Sequence, residues 1–545
     1  MIKSVTKNSL LECTVMTIGE NIATARVKAG FTQEGLAAYA GVSRQAVQKW
    51  ESGACLPETQ KLILLCRRFD ISMDEMVGNE AFGRTAEERR NERRHLPNYV
   101  RLNGWDLYSA DFRVEYQQLL DEGRNVEKYK NLVSEINALP PTREREVATE
   151  AVAALMFAEP VRDGYAFYEP SGLDEIRSSR KPSGVRLPEV CDKSALQSKI
   201  RGAWLGRIAG CLLGKPYEGI RTKELNLVLK ATGNFPLSRY TLQSELTEEL
   251  YEQVQFQLRD HCWADTVECA PADDDTNYTV MAATQILEKY GRDFSPCDVL
   301  HTWVECQPKA AYCTAERVAY INFINGYEPP GSAVHKNPYR EWIGAQIRAD
   351  YYGYINPADP EAAADMAWRD ASISHVKNGI YGEMFVAAML AAAAVCDDVK
   401  TVILCGLAEI PQQSRLYAEI MEIMNLYDTG KTAGDCASLI HERYDENTMH
   451  GWCHTLSNAM IVVMSLLYGG KDYGKSICMA VGCGFDTDCN GATVGSIVGM
   501  MIGEAGIPPE WTKPFGETLQ TRIFGTEYIT VDKLCELTMK HMPKK

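Results

Sequence analysis

Apolar residues recur at three- and four-residue spacing through most of the chain, which is the period of one face of an α-helix. After the acidic run at residues 273–275, this spacing places an apolar stripe on one helix, at Val280, Ala283, Ile286 and Leu287. Residues 111–139 and 143–157 carry the same period and are predicted as amphipathic helices that Pro140 and Pro141 separate. The pattern predicts an all-α fold.

Glycine recurs at every fourth position in two of the predicted helices. The first contains KIRGAWLGRIAGCLLGK, with Gly202, Gly206, Gly210 and Gly214 on one face, and the second has Gly491, Gly495 and Gly499. A face of small residues lets a neighbouring helix approach closely. Each glycine face is therefore expected to pack against another helix.

Two groups of carboxylates stand next to predicted helices. Asp486 and Asp488 lie in the loop GCGFDTDCNG, and PADDDTNYT carries three adjacent acids, Asp273, Asp274 and Asp275. Like charges this close resist burial unless a cation or several donors offset them. Each group could instead cap a solvated helix N-terminus, but three adjacent acids exceed what capping needs. Together the groups suit a binuclear site for hard divalent cations.

The chain has 545 residues, so two or three domains are expected. Its net charge of -16 excludes a broad basic surface for nucleic acid, so any DNA contact must be local. Its 18 cysteines are scattered, which favours free thiols in a reducing compartment, and a cytoplasmic location is expected. The longest apolar runs are too short to span a membrane, so no membrane partner is expected. Residues 81–190 are predicted to be a helical connector with a charged linker.

Residues 16–80 form the first predicted domain, a unit of five short helices. Two of them, at residues 32–39 and 43–51, are joined by a turn at Gly41, and their inner face consists of Leu36, Ala37, Val42, Val47 and Trp50. The segments TQEGLA and GVSRQAVQKWESG, followed by P-E-x-x-K-L, make the region resemble the Cro-like, phage-repressor helix-turn-helix family.

This resemblance implies that the helix beginning at Ser43 reads double-stranded DNA. Arg44, Gln45 and Lys49 would face base edges, and Gln33 and Ser43 would meet phosphates. Basic and acidic residues balance in this domain, so affinity for a single site should be modest, and a homodimer reading two half-sites would compensate. The alternative is a solvated helix face in a domain used for dimerisation or protein contact.

Residues 195–540 resemble the ADP-ribosylglycohydrolase family of the dinitrogenase reductase-activating type. The resemblance rests on five segments in family order: Gly210, Gly214 and Glu218 in G-x-x-x-G-x-x-x-E, then ADDDTNYT, IGAQIRADYYGY, SHVKNGIYGEMFVAAMLAA and GFDTDCNGATVGSIVG. It implies a large all-α domain with two Mg²⁺ or Mn²⁺ ions that binds ADP-ribose and cleaves its glycosidic bond. The acceptor could be a protein, a nucleic acid or a small molecule.

Carried over by position, the implied metal ligands are Asp273, Asp274, Asp275, Asp486, Asp488 and Cys489. The implied catalytic carboxylates are Glu218 and Asp275, and the implied substrate contacts are Gly344, Ala345, Arg348, His375 and Asn378. Arg348 could instead form a structural ion pair. His450 and His454 are weaker candidates for substrate contacts, and the alternative is that they only stand at the start of a helix.

Two positions depart from the family pattern and leave the function open. Asp273 stands where threonine is common, and Cys489 stands where threonine or serine is frequent. Because a thiol is a poor ligand for Mg²⁺, Cys489 leaves the metal undetermined. One alternative function is a transcriptional repressor that senses ADP-ribose or a related nucleotide without turnover. Another is a hydrolase of a different N-glycosidic substrate.

Overall fold

The structure is a computed structural model that describes residues 17–77, 97–190 and 192–544. The ends of the predicted first domain, at residues 16 and 78–80, and the start of the predicted connector, at residues 81–96, lie outside the described residues. The chain forms two compact units, Met1–Leu102 and Asn103–Lys545.

The first unit contains the predicted five helices: α1 Ile18–Lys28, α2 Gln33–Ala40, α3 Arg44–Glu51, α4 Thr59–Phe69 and α5 Met73–Val77. Thr17, Thr32 and Ser43 each accept a backbone hydrogen bond at a helix N-terminus, which fixes where α1, α2 and α3 begin. Gly41 ends α2 in a left-handed conformation, with φ of 66°. The predicted inner-face residues Leu36, Ala37, Val47 and Trp50 are buried together.

The second unit is also helical. Its α-helices are α6 Phe112–Asp121, α7 Lys130–Ala138, α8 Arg143–Ala158, α9 Leu173–Ser179, α10 Lys193–Gly214, α11 Thr222–Ala231, α12 Glu248–Gln253, α13 Asp274–Met281, α14 Leu287–Tyr290, α15 Pro296–Cys306, α16 Thr314–Ile324, α17 Gly331–Val334, α18 Asp350–Tyr354, α19 Pro360–Ala371, α20 Lys377–Ala393, α21 Val399–Leu407, α22 Arg415–Asp428, α23 Ala433–Arg443, α24 Met449–Cys453, α25 Thr455–Gly469, α26 Tyr473–Gly482, α27 Thr487–Ile502, α28 Pro509–Thr512 and α29 Val531–His541. A π-helical turn, Ala282–Ile286, joins α13 to α14.

Short 3-10 turns and one small sheet complete the unit. The turns are Gly104–Asp106, Glu127–Tyr129, Lys215–Tyr217, Gln243–Glu245, Gly291–Asp293, Lys309–Ala311, Gln346–Arg348 and Glu504–Gly506. The strands β1 Thr518–Gln520 and β2 Tyr528–Thr530 pair antiparallel, with Leu519 opposite Ile529. The predicted all-α class is therefore confirmed. Among the described residues, no helix is both long and apolar enough to cross a membrane.

Helices α20, α25 and α27 form the centre of the second unit, and nearly every residue along them is buried. Helix α10 lies against α27, and the two predicted glycine faces meet each other in antiparallel register. The paired residues are Gly202 with Gly499, Gly206 with Gly495, Gly210 with Gly491 and Gly214 with Thr487. A Cβ atom on Gly210 would lie 2.0 Å from the Gly491 carbonyl oxygen, so this approach requires glycine.

Gly210→Ala should lower the free energy of unfolding by about 1–3 kcal/mol, because its methyl group overlaps a helix backbone that cannot rotate away. Gly434→Ala on the exposed part of α23 is the matched control. A Cβ atom there meets only Thr432 Oγ1, at 3.6 Å, so that variant should be as stable as the wild type or slightly more stable. Urea unfolding followed by circular dichroism compares them. Equal destabilisation of both would contradict the close helix contact.

The predicted connector region packs within the second unit rather than forming a separate element. Arg340 pairs with Glu115 and Glu122 of this region at 2.7 Å each, and all three side chains are buried. Arg415 pairs at 2.8 Å with Glu169, also of this region. The observed division at residues 102–103 thus differs from the sequence boundaries at 80–81 and 190–195. The reason is that these partners lie more than 200 residues apart, where no local pattern reveals them.

Candidate metal centre and helix-turn-helix surface

The contact between α10 and α27 brings one acidic loop to the end of α10. Because the helices are antiparallel, the N-terminus of α27 lies beside the C-terminus of α10, where Thr487 Oγ1 donates to the Gly214 carbonyl at 2.9 Å. Asp488 of α27 therefore lies near Lys215 and Glu218, which follow α10 directly. Glycine spacing thus positions the carboxylates.

The second acidic loop reaches the same place through two cations on α10 and its extension. Asp273 caps α13 by accepting from the Asp275 backbone N–H at 2.9 Å, and its other oxygen pairs with the Lys215 ammonium. Arg207 donates to the Asp275 carbonyl from Nε at 2.9 Å and from Nη2 at 2.6 Å. Arg207 and Lys215 therefore fix the loop against α10.

The two loops meet in one cluster of ligand atoms. One carboxylate oxygen each from Glu218, Asp273 and Asp488 lies within 4.8 Å of the others, as do single ligand atoms of Asp275, Asp488 and Cys489. The predicted ligands Asp273, Asp275, Asp488 and Cys489 are thus brought together with the predicted catalytic Glu218. Asp274 and Asp486 stand on the same loops but outside these groups.

Most carboxyl groups of the cluster are buried together, and their pKa values reflect it. Burial and the charges of Asp273 and Asp488 raise the pKa of Asp274 to about 8. Burial and the neighbouring carboxylates also raise the pKa of Asp275 and Asp486 well above the ordinary aspartate value. Burial raises the pKa of Asp273 too, but its pairing with Lys215 outweighs burial and leaves that pKa lowered. The cluster therefore contains more carboxyl groups than its own cations could offset if all of them were ionised.

Within the acidic cluster, two buried carboxylate oxygens, Asp275 Oδ2 and Asp488 Oδ1, have no hydrogen-bond partner among the described residues. Asp275 is 0% exposed and Asp488 is 2% exposed, so these oxygens cannot be satisfied by bulk water. A buried unpaired carboxylate oxygen is costly unless a cation contacts it. The donor set and its burial therefore fit divalent cations. The sequence predicted such a site without determining which metal it binds.

A strained turn delivers Asp486 and Asp488 to the cluster. Gly484 and Phe485 both adopt left-handed backbone conformations, with φ of 81° and 57°. This conformation is unfavourable for phenylalanine and persists only where surrounding contacts hold it. Asn458 of α25 supplies such contacts, since its Oδ1 accepts from the Asp486 backbone N–H at 3.3 Å and from Asn490 Nδ2 at 2.7 Å.

Arg348, predicted to contact the substrate diphosphate, lies in a buried ion-pair network. Its guanidinium pairs with Asp370 and with Glu316 at 2.7 Å, and it donates to Ser374 Oγ at 3.1 Å. These contacts match the structural alternative for this residue rather than a free phosphate-binding group. Gly344 faces the same network, because a Cβ atom on it would lie 2.1 Å from Glu316 Oε1.

Ala345, predicted as a substrate contact together with Gly344, is fully buried. Within the described residues the backbone N–H groups of Gly344 and Ala345 donate no backbone hydrogen bond. They stay candidate donors for a phosphate group.

His375 and Asn378 occupy different surroundings. His375 is 1% exposed, and its Nε2 has no hydrogen-bond partner within the described residues but lies 4.0 Å from Glu316 Oε1. Burial and the Arg348 charge lower the pKa of His375 well below the usual value, so the ring is neutral. Asn378 Nδ2 donates to Glu169 and Glu341 at 2.8 Å each. The structure therefore places Asn378 in the Arg415 network, away from the acidic cluster.

His450 and His454 lie together beside Asp121 of α6. His450 Nε2 is 2.8 Å from Asp121 Oδ2, and its Nδ1 accepts from Trp342 Nε1 at 3.1 Å. His454 Nδ1 accepts from the Leu456 backbone N–H at 3.2 Å, which is the helix-entry role considered for this residue. Neither histidine belongs to the acidic cluster.

In the first unit, α3 presents Arg44, Gln45 and Lys49 on its exposed face. Arg44 Nε pairs with Glu34 at 2.8 Å, and both side chains stay more than half exposed. The two predicted phosphate contacts are already bonded within the unit. Gln33 Nε2 donates to Glu51 at 2.8 Å, and Ser43 Oγ caps α3 by accepting from the Ala46 N–H at 3.2 Å.

Sequence reasoning missed several residues that build these surfaces: Lys215, Arg207, Cys211, Asn458 and Gln48. Lys215 and Arg207 hold the acidic loops, and Gln48 shares the exposed face of α3 with Arg44. Arg207, which stands among apolar residues and glycines in this helix, was a usable signal, because a buried arginine requires a carboxylate or carbonyl partner. No local pattern singles out Asn458.

Comparison with known proteins agrees with both units. Residues 192–542 match the family model described as ADP-ribosylglycohydrolase. The chain belongs to the ADP-ribosylglycohydrolase family. Residues 22–76 match a family model described as helix-turn-helix. The first unit is therefore a helix-turn-helix domain joined to an ADP-ribosylglycohydrolase-family domain.

Two individual proteins are similar to parts of the chain. The HTH-type transcriptional activator BcrR of Enterococcus faecalis is 34% identical over 86 residues, which is 16% of this chain and 42% of that protein. The chain thus spans less than half the length of this curated relative. A solved structure titled ADP-ribosylglycohydrolase-related protein complex is 17% identical and covers 64% of this chain and 98% of its own, with a TM-score of 0.36.

Proposed function

We propose that the second unit is a metal-dependent hydrolase that cleaves the glycosidic bond between ADP-ribose and a modified group. The observation that carries this proposal is the convergence of Glu218, Asp273, Asp275 and Asp488, with two buried carboxylate oxygens that no described protein group satisfies. Membership of the ADP-ribosylglycohydrolase family supports the reaction class. The substrate would be an ADP-ribosylated protein, nucleic acid or small molecule.

Asp273, Asp275 and Asp488 would hold the cations, with Asp274, Asp486 and Cys489 on the same loops. When bound, two divalent cations such as Mg²⁺ or Mn²⁺ would orient ribose hydroxyls and lower the pKa of a bound water. Arg207 and Lys215 keep the carboxylates in place and carry part of the balancing charge.

Glu218 is the group best placed to move a proton. It is exposed at the edge of the cluster, whereas Asp273, Asp275 and Asp488 are buried. The charge of Asp488 raises the pKa of Glu218 above that of an ordinary glutamate, so its carboxylate is a stronger base. Glu218 would accept the proton of a water that attacks the anomeric carbon. Asp275 and its neighbours would stabilise the positive charge that develops on the sugar ring.

One observation favours a second candidate function, a nucleotide sensor without turnover. Lys215 places an ammonium group directly on Asp273 within the cluster. An internal cation there would reduce the need for one metal ion and leave a site that binds ADP-ribose without cleaving it. The helix-turn-helix domain would then report occupancy to DNA. A hydrolase acting on another N-glycosidic substrate is the remaining alternative from the sequence.

Product formation and DNA affinity separate the hydrolase from the sensor. The full chain is mixed with ADP-ribosylated substrates and Mn²⁺, and its affinity for a selected DNA fragment is measured with and without ADP-ribose. A hydrolase gives free ADP-ribose with turnover. A sensor gives no product, but ADP-ribose shifts the DNA affinity. The selected fragment comes from repeated selection of a random DNA pool by the full chain.

We also propose that α3 enters the major groove of double-stranded DNA through Arg44, Gln45, Gln48 and Lys49, with two copies reading two half-sites. Arg44→Ala should weaken binding to the selected fragment about tenfold or more, because a lost side-chain contact to a base edge costs about 1–3 kcal/mol. Lys28→Ala, on the exposed surface of α1, removes the same charge away from α3 and should weaken binding much less. Fluorescence anisotropy measures both. Equal losses would contradict the assignment of α3.

A further inference from the structure

Two thiol groups lie inside the acidic cluster. Cys211 Sγ and one carboxylate oxygen each from Asp273 and Asp275 are within 4.8 Å of one another. Cys489 Sγ forms a second such group with Asp275 and Asp488. Cys211 follows Gly210 in the close helix contact, and Cys489 lies on α27, so the two helices each contribute one thiol.

Both thiols are buried, with 4% of Cys211 and 6% of Cys489 exposed. Buried cysteines are common in protein cores, so their burial alone indicates no ligand. The independent observation is the pair of unpartnered buried oxygens, Asp275 Oδ2 and Asp488 Oδ1, one in each group. Each group thus contains a thiol and at least one aspartate that has an unpartnered buried oxygen.

The spacing is compatible with coordination. Ligand atoms bound to one ion at about 2.0–2.3 Å lie within about 4.6 Å of each other, close to the 4.8 Å limit that both groups meet. Asp275 belongs to both groups, so its two oxygens can serve neighbouring ions. The arrangement therefore suits two adjacent cations that share Asp275.

We propose that the centre takes two transition-metal cations of intermediate softness, such as Co²⁺ or Zn²⁺, and that Cys211 and Cys489 each provide one thiolate ligand. Sulfur ligands favour such ions over Mg²⁺, which prefers oxygen. On binding, each S–H bond breaks, a sulfur–metal bond forms, and the proton passes to the solvent. This proposal rests on the proposed function, because it takes the acidic cluster that contains these thiols to be the catalytic centre.

The group Asp121, His450 and His454 is a weaker metal site. In both histidines Nδ1 accepts an N–H hydrogen bond, from Trp342 and from the Leu456 backbone. A neutral ring that accepts at Nδ1 carries its hydrogen on Nε2, and that nitrogen then cannot ligate a metal. His450 Nε2 instead donates to Asp121 at 2.8 Å.

Cobalt absorption tests the proposal on the full chain. Protein stripped with EDTA is titrated with Co²⁺, and the near-ultraviolet thiolate-to-cobalt charge-transfer band is recorded with the proton release. We expect a saturable band, release of about two protons per chain, and no displacement by excess Mg²⁺. Cys211→Ser and Cys489→Ser should each remove about half of the band. Cys405→Ser, a buried thiol on α21 outside the cluster, should leave it unchanged.

Cobalt binding without the band would overturn the proposal, as would a band that persists in the double variant Cys211→Ser, Cys489→Ser. Failure of Co²⁺ to bind would overturn it as well. If a variant does not fold, the wild-type spectrum still shows whether thiolates bind the metal. A band in a protein that releases no ADP-ribose would support the thiol ligands and refute the hydrolase. ADP-ribose release without a band would support the hydrolase and refute the thiol ligands.

Discussion

Asp488→Asn should lower the rate of ADP-ribose release by about 10²–10⁴-fold, because a catalytic cation contributes several kcal/mol to the transition state and this substitution removes one of its ligands. Asp488 is 2% exposed, and its Oδ1 has no protein partner in the described part of the chain. The same change removes like-charge repulsion, so the metal-free variant should melt at a higher temperature than the metal-free wild type.

Initial rates at saturating Mn²⁺ and melting curves in EDTA measure these two effects. Asp472→Asn is the matched control, because Asp472 caps α26 and asparagine caps a helix equally well. That variant should keep the wild-type rate. A variant Asp488→Asn with normal turnover would show that this carboxylate does not hold a catalytic cation.

Arg340→Met should lower the free energy of unfolding of the second unit by about 3–5 kcal/mol, because it leaves Glu115 buried without a cation and leaves Glu122 with Lys377 alone. Arg340 is 2% exposed and joins the region before residue 190 to the rest of the unit. The expected loss is large enough that a piece beginning near residue 192 should fold poorly.

Lys336→Met provides the comparison, since Lys336 pairs with Glu150 of the same region at 2.6 Å but both side chains are more than one-third exposed. An exposed pair contributes about 0.2–1 kcal/mol. Urea unfolding of both variants, followed by tryptophan fluorescence, gives the two values. Similar small losses would indicate that this region is only loosely attached and would fit the helical connector predicted for residues 81–190.

The sequence predicted those parts of the fold that depend on local spacing. Helical periodicity gave the all-α class, and the cap residues Thr32 and Ser43 together with Gly41 marked the helix-turn-helix pattern. The four-residue glycine spacing predicted close packing for two helices. It could not show that these helices pack against each other, because that pairing joins residues nearly 300 positions apart, such as Gly202 and Gly499.

The roles of individual polar residues were harder to predict. The family resemblance predicted that Arg348 and Asn378 contact the substrate. Their side-chain N–H groups instead contact buried carboxylates such as Asp370 and Glu169. Those partners come from distant parts of the chain and leave no local sequence signal. For Asp273, Asp275 and Asp488 the local signal was strong, because adjacent acids beside apolar helices require a compensating charge.

Release of ADP-ribose by the full chain tests the central claim most directly. Arginine-, serine- and DNA-linked ADP-ribose are offered to the metal-stripped protein before and after addition of Mg²⁺ or Mn²⁺, with the double variant Asp486→Asn, Asp488→Asn as the control. Release from at least one substrate, only after metal addition and absent in the control, is the predicted result. No release from any substrate by a metal-loaded protein that still binds ADP-ribose would contradict the hydrolase.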